Sequence, residues 1–293
     1  MLDEKTAKLI LFSAVDPVDT FWQGEVLRNG AINTYQKITR GSAYLKIPDF
    51  SQIRNRVLRA NVEDLKSEIM AANAEFISSE DLDWPASCQD LSAPPIGLVI
   101  KGDRKLLAQL GNSISIVGSR RPTNYGLNVA NKLATDAAKQ QIVVISGGAY
   151  GIDTAAHKAA IIAGGRTISV LAGGVSCLYP LENRELFSQI TKAGLLISEV
   201  MPSVKTMPAR FLIRNRLIAA LSVATVVVEA EFVSGSIRTA RDAAEIFRPV
   251  FAIPGQISSK LSDGCHRLIA ERVADIATSL DEILEVIKPL QLR

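Results

Sequence analysis

From residue 96 onward the chain alternates short β-branched apolar runs with segments of helical period, and this alternation constrains the fold more than any other feature. The apolar runs fall at 115–117, 142–145, 167–171, 195–198, 224–228 and 249–253, with amphipathic segments between them at 125–139, 153–163, 182–193, 209–221 and 236–247. A strand that reads as a continuous apolar run is buried on both faces, which requires helices above and below the sheet. Right-handed crossovers then wind such units into a parallel sheet with ligands at the carboxyl ends of its strands. The predicted class is therefore α/β: an extended Rossmann-like, doubly wound, mostly parallel sheet.

The first 72 residues lack this pattern. Apolar residues recur there at helical spacing in 8–12 and 21–27, and 51–58 begins like a capped helix. A polar, acidic stretch from Asn73, carrying Trp84-Pro85 and ending at Pro94-Pro95, reads as a junction. The expected organisation is a small helical domain over 1–72, SAM-like or helix-hairpin-helix-like, followed by the Rossmann-like domain over 73–293.

Charge and cysteine usage narrow the setting. With 33 Lys+Arg against 30 Asp+Glu the net charge is only +3, so any nucleic-acid surface must come from local clustering. The 3 cysteines are far apart with no CxxC, which argues against a disulfide framework or a zinc site and fits a reducing cytosol. No signal peptide is evident, and the longest apolar runs fall short of the roughly 20 residues that span a bilayer. A cytoplasmic protein without membrane association is expected.

Function should sit in the loops after the strands. The first is Gly118-Ser119-Arg120-Arg121-Pro122, and the second is Ser146-Gly147-Gly148-Ala149-Tyr150-Gly151-Ile152-Asp153. Glycines at a strand-to-helix turn let backbone N–H groups approach an anion, and the following helix N-terminus favours negative charge. The second loop therefore reads as a phosphate cradle, although glycines also serve tight turns and packing. Arg120 and Arg121 in the same rim add bidentate donors for phosphate oxygens. Further along come Tyr179-Pro180-Leu181-Glu182-Asn183, Ser234-Gly235-Ser236 and Pro254-Gly255. Between Glu199 and Glu229 there is no acidic residue, yet Lys205, Arg210, Arg214 and Arg216 occur, with Asn215 among them. On a helix Arg210 and Arg214 share a face, with Leu217, Ile218 and Leu221 turned to the core, so the arginines can track a phosphodiester backbone.

Enzymatic signatures are missing. No Gly-Lys dipeptide exists for a Walker A loop, no strict GxGxxG, and no GxSxG elbow. Packing, or a hydrogen bond to Asp153 across the helix start, accounts for His157, and Cys177 has no activating neighbour. Capping and salt bridging to nearby arginines account for Asp153, Glu199 and Glu229. No catalytic residue, metal or cofactor is expected.

The blocks IVGSRRPTNYG, ISGGAYGIDTAAHKAAI, TISVLAGGV with CLYPLEN, GLLISE, FLIRNRLIAALS, ATVVVEA, SGSIRTARDAAE and RPVFAIPG occur in that order. Over roughly residues 75–275 the chain resembles the DNA-processing protein A family (DprA, also called Smf). That resemblance implies a non-enzymatic protein that binds single-stranded DNA at a basic pocket on the sheet rim, dimerises, and helps load the RecA recombinase during natural transformation. By motif it implies phosphate contact at Gly118, Ser119 and Arg120, a glycine loop of Ser146, Gly147, Gly151 and Asp153, and a basic block of Arg214, Asn215 and Arg216. The sequence departs from the family at Tyr150, where an arginine is usual, at Leu181, where a lysine is usual, at Ile213, the first position of an RRNR block, and at His266, where an asparagine is usual. Each missing cation should lower both affinity and salt dependence. With few residues following Lys288, the winged-helix domain some members carry is not expected here. An alternative is a nucleotide-binding enzyme similar to the lysine-decarboxylase-like phosphoribohydrolases. Their PGGxGTxxE motif is absent here, and Ser234-Gly235-Ser236 with Arg238 and Thr239 stands in the comparable region.

Overall fold

The computed structural model describes residues 2–41 and 44–291. Five helices come first: α1 (Glu4–Ala14), α2 (Thr20–Asn29), α3 (Ala31–Arg40), α4 (Phe50–Arg59) and α5 (Val62–Ala71). The chain continues as β1 (Glu75–Ile77), β2 (Leu98–Gly102), β3 (Ser113–Gly118), α6 (Asn124–Lys139), β4 (Val143–Ser146), α7 (Ile152–Ile162), β5 (Thr167–Leu171), α8 (Arg184–Ala193) and β6 (Leu195–Ser198). It closes with α9 (Pro208–Leu221), β7 (Ala224–Val228), α10 (Gly235–Glu245), β8 (Val250–Ala252), α11 (Asp263–Ala270), β9 (Asp275–Ile276) and α12 (Leu280–Gln291).

All strands lie in one sheet of order β1-β2-β6-β5-β4-β3-β7-β8-β9. The strands from β6 to β9 pair in parallel, as the apolar runs predict, whereas β1 and β2 extend the β6 edge antiparallel. The mostly parallel α/β class holds. The sequence pattern missed β1, β2 and β9: β1 and β9 are too short, at 3 and 2 residues, to show alternation, and the apolar part of β2 is a brief run between the junction and the first strand–helix unit. After β3 the chain steps outward through β4, β5 and β6, then returns to place β7 on the other side of β3. The β3–β7 seam is thus the switch point, where opposed loops open a crevice.

The strand alternation assigns the two layers. Val117, Val143, Ile145, Ile168, Val170, Ile197 and Val227 face a core shared with α9, α10 and α11. Ile114, Ile116, Val144, Val226 and Phe251 face α6, α7 and α12. On that second face, beyond β5, Leu171 and Leu196 join Trp22, Ile38, Phe50 and Val57 in one cluster. The N-terminal helices therefore share a core with the sheet and do not form a separate ball. Asp3, Asp19 and Asn61 cap α1, α2 and α5 by accepting from first-turn N–H groups.

One helix departs from its pattern. From Arg214 to Leu221 every residue of α9 is buried. The sheet covers one side, and α10 and the segment around Ala93 cover the others. A helical wheel assumes that the polar face is wet, and here it is not.

Candidate functional site

A crevice of about 660 Å³ opens at the switch point. It is bounded by the loop after β3, the start of α7, the first two turns of α9 and the turn into α10. Gly118, Ser119, Arg120, Arg121, Asp153, Arg214, Asn215, Ser234, Gly235 and Ser236 all line it. The remaining candidates, Ser146, Gly147, Gly148, Tyr150, Gly151, Asn183, Arg210 and Arg216, stand behind or beside its wall.

Arg120 and Arg121 are exposed on the rim, and neither has a carboxylate within ion-pair distance among the described residues. The Arg120 guanidinium lies over the Phe211 ring, 5.3 Å from its centroid. Tyr179 meets the same ring edge-on at 5.5 Å. The sequence reading passed over these two aromatics. The available signal was the spacing on α9, where Phe211 precedes Arg214 by three and shares its side of the helix. Across the crevice the Ser234 hydroxyl caps α10 by accepting from Ile237 N–H, and it lies 2.7 Å from the Ser236 hydroxyl. Asn215 donates to Gly235 O at 2.9 Å and so fixes this turn.

The glycine loop is built differently from the cradle expected of it. Asp153 is buried, and its carboxylate accepts from Gly147 N–H at 3.1 Å and Ala149 N–H at 3.2 Å. Two of the loop's donors are therefore spent on the protein's own anion. Arg214 completes the clamp: its Nη1 donates to Gly147 O at 2.7 Å and also to Val170 O. Burial lowers the Arg214 guanidinium to about 10, with Asp153 opposing the shift, so it remains cationic at neutral pH. Burial likewise raises the Asp153 carboxyl, against the attraction of Arg214 and its backbone donors. A side chain at Gly147 would collide with the Arg214 head group at 2.4 Å. Gly151, at φ +76°, lets this loop press against Ser119 O, where a Cβ would stand 2.3 Å away.

Other candidates brace the wall. Ser146 is buried and donates to Ile116 O. Gly148 packs against Phe187, and Asn183 donates to Gly148 O at 3.1 Å and to Thr154 Oγ1 at 2.7 Å. Tyr150 donates its hydroxyl to Glu182, which pushes the phenol up to about 12. Arg210 lies outside the crevice, near Asp16.

Arg216 corrects the expected basic track. It points away from the crevice, pairs with both oxygens of Glu199 at 2.5 and 2.7 Å, and donates to Ala93 O. The two-position offset from Arg214 turns it about 200° around the helix, toward the covered side. Glu199 is thus salt-bridged to an arginine as expected. Glu229 instead accepts from Thr123 N–H and its hydroxyl, bracing the loop ahead of α6.

His157 does not reach Asp153. It pairs through Nδ1 with Thr167 Oγ1 at 2.7 Å, and because that hydroxyl donates to Val144 O, the imidazole carries its proton on Nδ1. Burial pushes His157 down to about 3, so it is a neutral core residue. No group of His, Cys, Asp and Glu among the described residues could hold a metal ion, and no helix there is long and apolar enough to cross a membrane.

The comparisons with known proteins converge on one family. The model for DNA recombination-mediator protein A matches residues 75–288. DNA processing protein DprA of Bacillus subtilis is 37% identical over 243 residues, which is 80% of this chain and 80% of that protein. The Streptococcus pneumoniae protein of the same name is 39% identical over 201 residues, 69% of this chain and 70% of its own. An X-ray structure of DprA from Streptococcus pneumoniae superposes with a TM-score of 0.83 at 31% identity, covering 97% of this chain and 98% of that one. DNA processing protein A from Helicobacter pylori, whose structure concerns its single-stranded DNA binding mode, superposes with a TM-score of 0.67 at 30% identity, covering 74% of this chain and 98% of that one. On the matched length and the shared fold, this chain belongs to the DNA recombination-mediator protein A family.

Proposed function

We propose that this protein binds single-stranded DNA in the crevice at the β3–β7 seam and hands it to the RecA recombinase during natural transformation, acting in the cytoplasm as a homodimer without catalysing a reaction. The observation that carries the reading is the stack of Arg120 on Phe211 with Tyr179 at its edge. A cation with no carboxylate partner among the described residues, beside a half-buried Phe211 and an exposed Tyr179, suits a strand whose phosphates and unpaired bases lie side by side. Phosphates would lie along Arg120, Arg121 and the Ser234–Ser236 turn. The rings would take bases without reading their edges, so sequence preference should be slight. Asp153, Asn183, Arg214 and Asn215 act in this reading by holding the loops. The recombinase step takes its support from the family's role as a recombination mediator.

The test is fluorescence anisotropy with a labelled oligonucleotide of about 20 thymidines, a typical single-strand span, over a salt series, beside a duplex and a panel of mononucleotides. Salt-sensitive binding that prefers the single strand is expected. Tight mononucleotide binding with release of free base, and none to the oligonucleotide, would overturn it in favour of a nucleotide-processing enzyme.

A further inference from the structure

The sequence from Tyr35 to Ala60 carries Lys37, Arg40, Lys46, Arg54, Arg56 and Arg59 against a single acid, Asp49. The fold divides these cations between two flanks of α4. Phe50, Ile53 and Val57 are buried. Relative to that buried stripe, the 3.6-residue period puts Arg54 on one flank and Arg56 with Arg59 on the other. Arg54 turns to α3 and donates to Thr39 O. Arg56 turns toward the end of α1: it donates to Ala14 O at 3.0 Å and meets Asp16 at 3.3 Å. From the other side Arg210, beside Phe211 at the mouth of the crevice, lies 3.9 Å from the same carboxylate and reaches Lys205 O at 3.5 Å.

The N-terminal helices and the crevice are therefore joined by a short basic strip, Lys205–Arg210–Arg56–Arg59, with Asp16 at its centre. Lys205 and Arg59 are exposed and make no ion pair among the described residues. Glu68, which also reaches this stretch, accepts from Ser203 N–H. Apolar side chains stand exposed at the same place, Met207 at 50% and Leu212 at 55%. Cations alternating with exposed apolar groups form a surface for a single strand, neutralising phosphates while covering base faces.

We infer that a strand leaving the crevice runs over the first turn of α9 onto the Arg56–Arg59 flank of α4, so that the N-terminal helices extend the binding site. This rests on the single-strand reading of the crevice. The strip sets how many nucleotides are held, and Asp16 acts as a brake on it, since its charge opposes the phosphates that pass.

The experiment compares full-length protein on labelled oligothymidines of about 6 and about 20 nucleotides, spanning the usual range of single-strand site sizes. Each lost phosphate contact flattens the salt slope by ~0.7 and removes roughly fivefold in affinity near 0.1 M salt. Arg59→Ala with Lys205→Ala should therefore weaken the long oligonucleotide by roughly 25-fold, flatten its slope by ~1.4, and leave the short one unchanged. Asp16→Asn should tighten the long oligonucleotide severalfold, a gain that misfolding cannot produce. If the wild type binds both lengths and neither variant changes the difference between them, the strip is overturned and the crevice reading stands. Equal losses on both lengths also overturn it. If the wild type binds neither length, the crevice reading fails and the strip falls with it.

Discussion

The rim and the floor of the crevice hold the same residue type and put it to opposite uses. Arg120 and Arg121 stand exposed on the rim without carboxylate partners among the described residues, whereas Arg214 and Arg216, on the floor and behind it, are buried and bonded to the protein itself. An exposed arginine keeps its donors for a ligand. A buried one must spend them internally, because an unpaired charge away from water is prohibitively costly. The difference teaches that a basic motif does not convert directly into phosphate contacts: half of this one holds the wall in shape so that the other half can bind.

The sharpest way to break the comparison is behind the floor. Removing one partner of a buried ion pair costs about 3–5 kcal/mol, so Arg216→Ala or Glu199→Ala should cut unfolding stability by that order. Replacing both by apolar residues of similar volume should recover much of it, as read by urea denaturation. An Arg216→Ala protein with undiminished stability but weakened DNA binding would place Arg216 among the ligands.

A pH titration probes the core beside Arg214. Burial pushes His157 down to about 3, from the ordinary imidazole value of 6.5 that the unfolded chain retains. A depressed value means its stabilising contribution is complete above pH 6.5 and is lost as pH falls toward about 3. Melting temperature should therefore drop more steeply over that window in the wild type than in His157→Gln. Parallel curves would show that the imidazole is not held neutral.

On the rim, Phe211→Ala should weaken single-strand binding by about 1–3 kcal/mol, the range for base stacking, with no change in salt slope. Arg120→Ala should cost roughly 1 kcal/mol, equally for all sequences, and flatten the slope by ~0.7. A slope change in the first variant and none in the second would reverse the roles assigned to ring and cation. The smallest effect is expected from Tyr150→Arg, which adds a cation beside the crevice wall. The slope should steepen by at most ~0.7, because Glu182 next to it offsets part of the new charge.

The parallel sheet was legible because a strand covered on both faces reads as a run dominated by apolar and β-branched residues, unbroken at 142–145 and interrupted only by small hydroxyl residues at 167–171 and 224–228. The helices between them were legible from their period, and the loops after the strands from their glycines and arginines. The antiparallel edge was not, since a strand of 3 residues such as β1 carries too little pattern to separate it from a loop. Nor was the platform of Phe211 and Tyr179, whose members come from different elements and meet only through the crossing of α9 over the strand ends.

What the sequence determined by itself was the architecture and the place to look: hydrophobic period chooses strand or helix locally, and parallel winding puts the ligand loops at one end of the sheet. What only the tertiary structure decided was which charges remain available. Asp153 could have bound nothing, yet it occupies the N–H groups of the glycine loop, and Arg216 could have faced solvent, yet it closes on Glu199. Those outcomes depend on what lies across from each side chain in space, and the covering segment around Ala93 is more than a hundred residues away along the chain.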